Sequence, residues 1–440
     1  MTFDAALTAL LVYGLPMLLV VGAYTLRLHR AQARDAAALE ASHAAGLTEP
    51  PSLHPAINPN RCLGCGSCIP ACPEGDVLGL VAGKAVLVNP THCIGHGACR
   101  EACPCDAITL VLGTEARPIE IPRHDPSFHT NVPGIYVAGE IGGMGLIRNA
   151  VTQGREALEA IAARRCSTAQ DDRLDVLIVG AGPAGIAASL AAKERGLHFA
   201  TLEQESLGGT VAHYPRGKIV MTAPCDLPLY GRVHLHETTK ESLLALWTEV
   251  VRKTGLRIRY HERVDAITPT AGGFEVKSTR GIHAARTVLL AIGRRGTPAR
   301  LGVPGEDLPK VVYRLVEPEQ YRGRRVLVVG GGDSALEAAL AVAAEPGTEV
   351  TLAYRGAAFS RAKPANRERI DAAQRGGRLC VLLESQVGEI RADTVCIRTS
   401  GGEKELANDA VLVCAGGVLP SAFLRSFGVD IERKHGTPLF

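Results

Sequence analysis

Four thiols, Cys62, Cys65, Cys68 and Cys72 in CLGCGSCIPACP, stand at the spacing C-x2-C-x2-C-x3-C-P. A chain that concentrates soft ligands in so short a stretch must wrap them around a metal centre. The spacing is that of bacterial iron–sulfur proteins, in which the fourth cysteine serves the other cluster of a pair. A second run, CIGHGACREACP, supplies Cys93, Cys99 and Cys103, with His96 where the pattern wants its second cysteine. The expected wiring is crossed: Cys62, Cys65 and Cys68 with Cys103 on one cluster, and Cys93 and Cys99 with Cys72 on the other. The second cluster is one thiolate short. Three readings of His96 are open: it ligates the fourth iron, the site holds a three-iron cluster, or the imidazole faces solvent. Structural zinc is the competing use of such thiolates, but zinc ribbons separate their cysteine pairs by roughly a dozen residues or more.

These motifs resemble a two-cluster bacterial ferredoxin over residues 61–112, which implies a small α+β domain holding one four-iron cluster and one four- or three-iron cluster. Between its halves, VLGLVAGKAVLVN has Gly83 and Lys84 flanked by apolar runs and is expected to be the hairpin joining the two cluster loops.

The chain of 440 residues has room for two or three domains, each with its own core. A net charge of +3 and an aromatic content of 4% provide neither the basic footprint nor the stacking platforms of a nucleic-acid binder. Of the 13 cysteines, those outside the cluster motifs (Cys105, Cys166, Cys225, Cys380, Cys396, Cys414) are scattered, a usage that fits a reducing compartment.

From Ala5 to Leu26 no residue is charged. As a helix this run is about 33 Å long, enough for a bilayer core of roughly 30 Å. Asp4 precedes it and Arg27, His29 and Arg30 follow. The positive-inside bias places the N-terminus outside and the rest in the cytoplasm, a single-pass anchor in the inner (cytoplasmic) membrane. A cleaved signal would carry its positive charges ahead of the apolar run. Pro16 is a potential kink of a kind tolerated in membrane helices. With no histidine in the run, this helix alone is unsuited to carry haem. After it, AQARDAAALEASHAA extends the helix as a stalk, and the proline-rich stretch 47–60 reads as a linker.

Two glycine motifs follow. DVLIVGAGPAGIAASLAAKERGLHFATLE has an apolar strand, a turn through Gly180, Gly182 and Gly185, a helix to about Arg195 and a second strand ending at Glu203. Strand, glycines, helix and a distant acid make a complete βαβ dinucleotide fingerprint, in which Gly182 lets a pyrophosphate approach the backbone and Glu203 accepts from a ribose hydroxyl. RVLVVGGGDSALEAALAVAAEPGTEVTLAYRG repeats the scheme with Gly330, Gly332 and Ala335. Here Tyr354 and Arg355 stand where an acid would be, and Arg361 follows, which favours a 2′-phosphate and hence NADP over NAD.

Two such folds in one chain resemble the flavin-dependent pyridine-nucleotide reductases of thioredoxin-reductase type over residues 174–440. LEQESLGGT, whose Gly208, Gly209 and Thr210 would approach the flavin, and TVLLAIGRRGTPARLGVPGE add to the likeness. In that family a closing segment comes last, with Gly-Asp at a strand end and an Arg-Gln-Ala helix start. Here its match lies upstream, in TNVPGIYVAGEIGGMGLIRNAVTQGREALEAI (130–161), with Gly139 and Glu140 for Gly-Asp and Arg148, Asn149 and Ala150 for Arg-Gln-Ala. The resemblance thus implies a permuted flavoprotein whose FAD-touching segment is continuous with the iron–sulfur module, with 164–173 as the new linker. The Cys-x-x-Cys of thioredoxin reductases has no counterpart in YRLVEPEQYRGRR, and the cysteine that bacillithiol-disulfide reductases carry in the first glycine loop is Ala184 here. Cys225 is an isolated thiol.

The expected architecture is α/β: a transmembrane anchor (1–26), stalk and linker (27–60), ferredoxin domain (61–112), displaced closing segment (113–165), FAD domain (174–308), NAD(P) domain (309–424) and C-terminal extension (425–440). The expected function is electron transfer between NAD(P)H, FAD, two clusters and a carrier protein or membrane redox complex, in either direction. A disulfide or small-molecule reductase and a non-catalytic wiring subunit are the alternatives. A homodimer, with the closing segment shared between copies, is also compatible with the sequence.

Overall fold

Leucine, valine and alanine dominate residues 15–44, and the computed structural model of the protein has them as one α-helix, Leu15–Ala44, behind a π turn at Leu10–Gly14. It describes residues 10–438, apart from 51–52, 144, 165–171, 215–218, 222–223, 235–236, 295–296 and 419. Pro16 falls in the first turn of the α-helix, where a missing N–H breaks no intrahelical bond, so the expected kink becomes a helix start. By length and composition alone this helix is able to cross a membrane. Tyr13, Met17, Leu18 and Val20 are each more than half exposed.

The chain divides into two compact units, Met1–Val111 and Leu112–Phe440. In the first, the hairpin strands Leu78–Val81 and Lys84–Leu87 pair antiparallel around Ala82 and Gly83, both at positive φ, as the sequence suggested. The helix continues through the expected stalk to Ala44. Beyond Arg27 the helix packs on this hairpin: Asp35 Oδ2 accepts the Leu80 N–H at 2.9 Å, and the buried Ser42 donates to the Val88 carbonyl at 2.8 Å. Part of the expected linker is also ordered, with His54–Ile57 pairing antiparallel to Ile108–Leu112. Polar side chains at 35 and 42 lie two helical turns apart on one face, a pattern that composition conceals.

In the second unit a six-stranded sheet is centred on Gly281–Leu290. On one side of that strand runs Leu174–Val179, then Phe199–Leu202, both parallel to their neighbours. On its other side the first half pairs antiparallel with Gly273–Ser278, and the last residues pair parallel with Ile135–Val137. A strand from before the first glycine motif therefore completes the sheet that this motif begins. The helix after it, Ile147–Ala163, lies along the helix Pro183–Glu194. Small side chains set the approach: Ala150, Ala157, Ala184, Ala188 and Ala191 are buried between sheet and helices. A Cβ on Gly154 would fall on the Ala184 carbonyl oxygen.

A second, all-parallel five-stranded sheet runs in the order Val311–Val312, Ala410–Val413, Arg325–Val329, Glu349–Ala353, Cys380–Leu382. The expected boundary at 424 and the C-terminal extension are revised. Leu424, Phe427 and Val429 pack in the core of the first sheet, against residues such as Ile135 and Leu177. Ile431–Lys434 then pairs antiparallel with Ile119–Pro122. Residues 119–122 and 421–434 thus belong to the flavin-type domain. The linker expected at 164–173, with Cys166, lies almost wholly outside the described residues.

Because Gly154 abuts backbone, Gly154→Val should overpack the helix pair and cost about 1–3 kcal/mol or more. Differential scanning calorimetry should show a lowered melting temperature, with the iron content unchanged.

Candidate functional site

The first glycine motif closes one wall of a cavity of about 1290 Å3. Its lining gathers Gly139, Glu140, Gly180, Gly182, Glu203, Gly209 and Thr210, all singled out from the sequence. The three motif glycines differ in role. A Cβ on Gly180 would stand 2.5 Å from the Ala291 carbonyl oxygen, and one on Gly185 would fall on the Gly180 carbonyl oxygen, so both serve packing. A Cβ on Gly182 would meet nothing nearer than Gly209 Cα at 3.9 Å. It would project into free space at the start of the helix Pro183–Glu194, where backbone N–H groups and the helix dipole favour a phosphate.

Glu203 is buried. Its Oε2 accepts the Ala181 N–H at 2.7 Å and its Oε1 the Glu205 N–H at 2.9 Å, so the carboxylate braces the glycine loop while bordering the cavity. Burial pushes its pKa up, and the two backbone donors oppose that shift. Across the cavity Gly139, at φ 83°, donates its N–H to Gln153 Oε1 at 2.9 Å. A Cβ on Gly139 would stand 2.9 Å from Ala184 Cβ. Arg294 is a further cation of this region: burial lowers its pKa, the Glu140 carboxylate opposes the shift, and its guanidinium donates to the Glu120 carbonyl. His213 and Glu205 form a 2.9 Å ion-pair contact at the rim. These residues fit a dinucleotide.

Two expected contacts are not part of this lining. Arg148 and Asn149 do not line the cavity, and Arg148 is exposed. Ile147 and Ala150, one turn apart, face it instead, so the helix start presents backbone and apolar surface. Sequence reading also missed Gln153 and Gly154; a Gln-Gly pair inside a helix pattern was the available signal, since an interior glycine there needs a packing reason.

At the second motif, a Cβ on Gly330 would crowd Cys414 O and stand 3.0 Å from Ala335 Cβ, whereas Gly332 has open space around it. Gly332 forms a parallel bridge with Arg361, and Asp333 Oδ1 accepts the Lys363 N–H at 2.8 Å and an Asn366 amide N–H at 2.7 Å. The Arg361 backbone is thereby held against the glycine loop. Arg355 and Arg361 are both exposed.

In the first unit a void is lined by Cys72, Cys93, His96 and Cys99, together with Glu74. Cys72, Cys93 and Cys99 are the thiols expected for the second cluster, and His96 borders the same void. His96 Nε2 lies 3.9 Å from Glu74 Oε1. Cys65 has Cys103 as an electrostatic neighbour, and Cys68 has Cys99, Cys62 and Cys65, so the thiols of both expected sets lie close to one another. Sulfur-directed donors surround the Cys62 set: Ala85 N–H to Cys62 Sγ at 3.5 Å, Ala107 N–H to Cys103 Sγ at 3.3 Å, and Ser67 Oγ 3.5 Å from Cys65 Sγ. Burial pushes Cys68 and Cys93 up to about 11. Bound iron would supply the positive charge that makes such thiolates favourable.

Comparison with known proteins agrees with this geometry. The pyridine nucleotide-disulphide oxidoreductase family matches residues 177–440. The chain belongs to that family. A 4Fe-4S dicluster domain matches residues 54–104. Ferredoxin–NADP reductase of Ignicoccus hospitalis is 31% identical over 269 residues, 59% of this chain and 83% of that protein. Bacilliredoxin reductase Bdr of Bacillus subtilis is 29% identical over 60% of this chain and 83% of its own. Among solved structures, bacillithiol disulfide reductase Bdr of Staphylococcus aureus superimposes with a TM-score of 0.54 at 26% identity, covering 60% of this chain and 82% of that one. This member of the family is an FAD-dependent pyridine-nucleotide oxidoreductase with an iron–sulfur domain.

The glycine geometry separates cofactor loss from unfolding. Gly182→Val should leave the melting temperature of the FAD-free protein within about 1–2 °C of the parent while abolishing the flavin absorbance of the purified protein; Gly185→Val should lower both.

Proposed function

We propose that this protein is a membrane-anchored NAD(P)H oxidoreductase that passes electrons between NAD(P)H, FAD and two ferredoxin-type clusters, to or from an electron-carrier partner. The observation that carries the reading is the lining of the FAD-type cavity, which contains no cysteine among the described residues. At the position open to a thiol in the first glycine loop stands Ala184, wedged against Gly139 and Gly154. A dithiol–disulfide exchange has no partner there. The fused dicluster domain supplies an alternative electron route, so the likeness to ferredoxin–NADP reductases weighs more than that to bacilliredoxin reductase. When bound, FAD would exchange hydride with the nicotinamide and single electrons with the clusters.

The residues proposed to hold these groups are those already placed. Gly180, Gly182, Gly185, Glu203, Gly209 and Thr210 would hold FAD, with Gly139 and Glu140 from a circularly permuted closing segment. The pairing of Ile135–Val137 with Val288–Leu290 supports that permutation. Gly330, Gly332, Ala335, Arg355 and Arg361 would hold the nicotinamide nucleotide, with the two arginines favouring NADP. Cys62, Cys65, Cys68 and Cys103 would hold one four-iron cluster, and Cys72, Cys93 and Cys99 with His96 the other. The apolar helix followed by Arg27 and Arg30 supports a single-pass anchor in the cytoplasmic membrane, N-terminus outside.

An anaerobic titration followed by visible and EPR spectroscopy, with iron and flavin counted, tests the function. NADPH should bleach the flavin and the clusters, or dithionite-reduced clusters should reduce NADP; transfer in neither direction would overturn the proposal. A three-iron signal in the oxidised protein would remove His96 from the ligand set.

Arg355→Ala and Arg361→Ala should each raise the KM for NADPH about 10- to 100-fold, through loss of a charge-assisted contact of about 1.5–3 kcal/mol, and leave that for NADH nearly unchanged. Steady-state kinetics with an artificial acceptor measures the ratio.

A further inference from the structure

We propose that the helix Leu15–Ala44 is a rigid mount that fixes the iron–sulfur domain in one orientation to a lipid bilayer, an inference that rests on the membrane anchoring proposed above. The apolar end of the helix is exposed on every side, with Leu15, Leu18, Leu19 and Tyr24 each more than half accessible, as suits a bilayer and no single protein groove. From Arg27 to Ala44 the sequence holds neither glycine nor proline, and the helix runs without a break. Nothing along it acts as a hinge.

Its other end is docked at two points. Asp35 Oδ2 accepts the Leu80 N–H at 2.9 Å, and two turns further on the buried Ser42 donates to Val88 O at 2.8 Å and lies 3.1 Å from Asn89 Oδ1. Asp35 thus meets the first hairpin strand, while Ser42 meets the chain just past the end of the second. Two anchors on one helix face fix rotation as well as distance. Gly79 makes the fit possible, because a Cβ there would stand 2.7 Å from Asp35 Cγ. The hairpin in turn grips the first cluster loop: Lys84 Nζ donates to Cys62 O at 2.7 Å, Ala85 N–H points to Cys62 Sγ, and Gly64 abuts the Gly83 carbonyl. A chain of direct contacts therefore leads from the helix to a cluster ligand. Asp35 lies eight residues after Arg27, about 12 Å of helix, so the docked domain begins close to the bilayer surface.

The full-length protein is reconstituted in vesicles of phosphatidylethanolamine and phosphatidylglycerol, checked by flotation, and dried as oriented multilayers. EPR spectra of the dithionite-reduced clusters are recorded as the layers are rotated in the field. The amplitudes of the cluster lines should vary with angle. The double variant Asp35→Ala/Ser42→Ala, with an unchanged spectrum in frozen solution, should lose that variation. If the double variant loses its clusters, Gly79→Ala, which only crowds Asp35, takes its place. Wild-type protein that floats but gives angle-independent spectra would overturn the mount and leave the anchor standing, as would a variant that keeps the full dependence. Protein that fails to float would overturn the anchor and the mount with it.

Discussion

The close approach of two backbones, at Gly139 and Gly154 on one side and Ala184 on the other, is the constraint on which the flavin-type domain depends. It lets the helix Ile147–Ala163 lie against the glycine-loop helix and brings Gly139 and Glu140 to the rim of the cavity. Any larger side chain at these positions would separate the two helices and open the wall. The same packing leaves Ala184 no spare volume, so the feature that closes the dinucleotide site also keeps the first glycine loop free of bulky or reactive groups.

Electrostatics differ between the two cluster sites. Around the Cys62 set, N–H and O–H groups point at sulfur and Lys84 bonds the Cys62 carbonyl, arrangements that stabilise added electrons. Around the Cys93 set stand Glu74 and an imidazole. A carboxylate disfavours reduction, while a neutral ligand in place of a thiolate favours it, so with His96 bound to iron as proposed the two terms at this site would oppose each other.

What the sequence disclosed was local. Cysteine spacing, strand–glycine–helix punctuation and the Ala82–Gly83 hairpin are properties of short segments, and each appears where the residues implied. The match at 130–161 also located the strand Ile135–Val137, because a glycine, Gly139, marks the chain just past its end. Contacts between distant segments left no such mark. Nothing in Asp35 or Ser42 distinguishes them from solvated helix residues until Gly79 and Val88 are beside them. Leu424 and Phe427 look like the end of one domain and pack in another. Arg148, exposed and outside the cavity lining, shows a related limit of motif matching: a match assigns position in the chain, while helical phase decides which way a side chain points.

The parallel pairing of residues 135–137 with 288–290 has a consequence for biosynthesis. During translation the cysteine-rich module emerges before the nucleotide-binding segments, and its hairpin and the pairing of His54–Ile57 with Ile108–Leu112 draw on residues 54–112 alone. The strand behind it must wait for some 150 further residues before its neighbour exists, and the strand Ile119–Pro122 must wait for Ile431–Lys434, some 300 residues on. Metal insertion into the first module can thus precede completion of the nucleotide site, whose strands pair only across long stretches of chain.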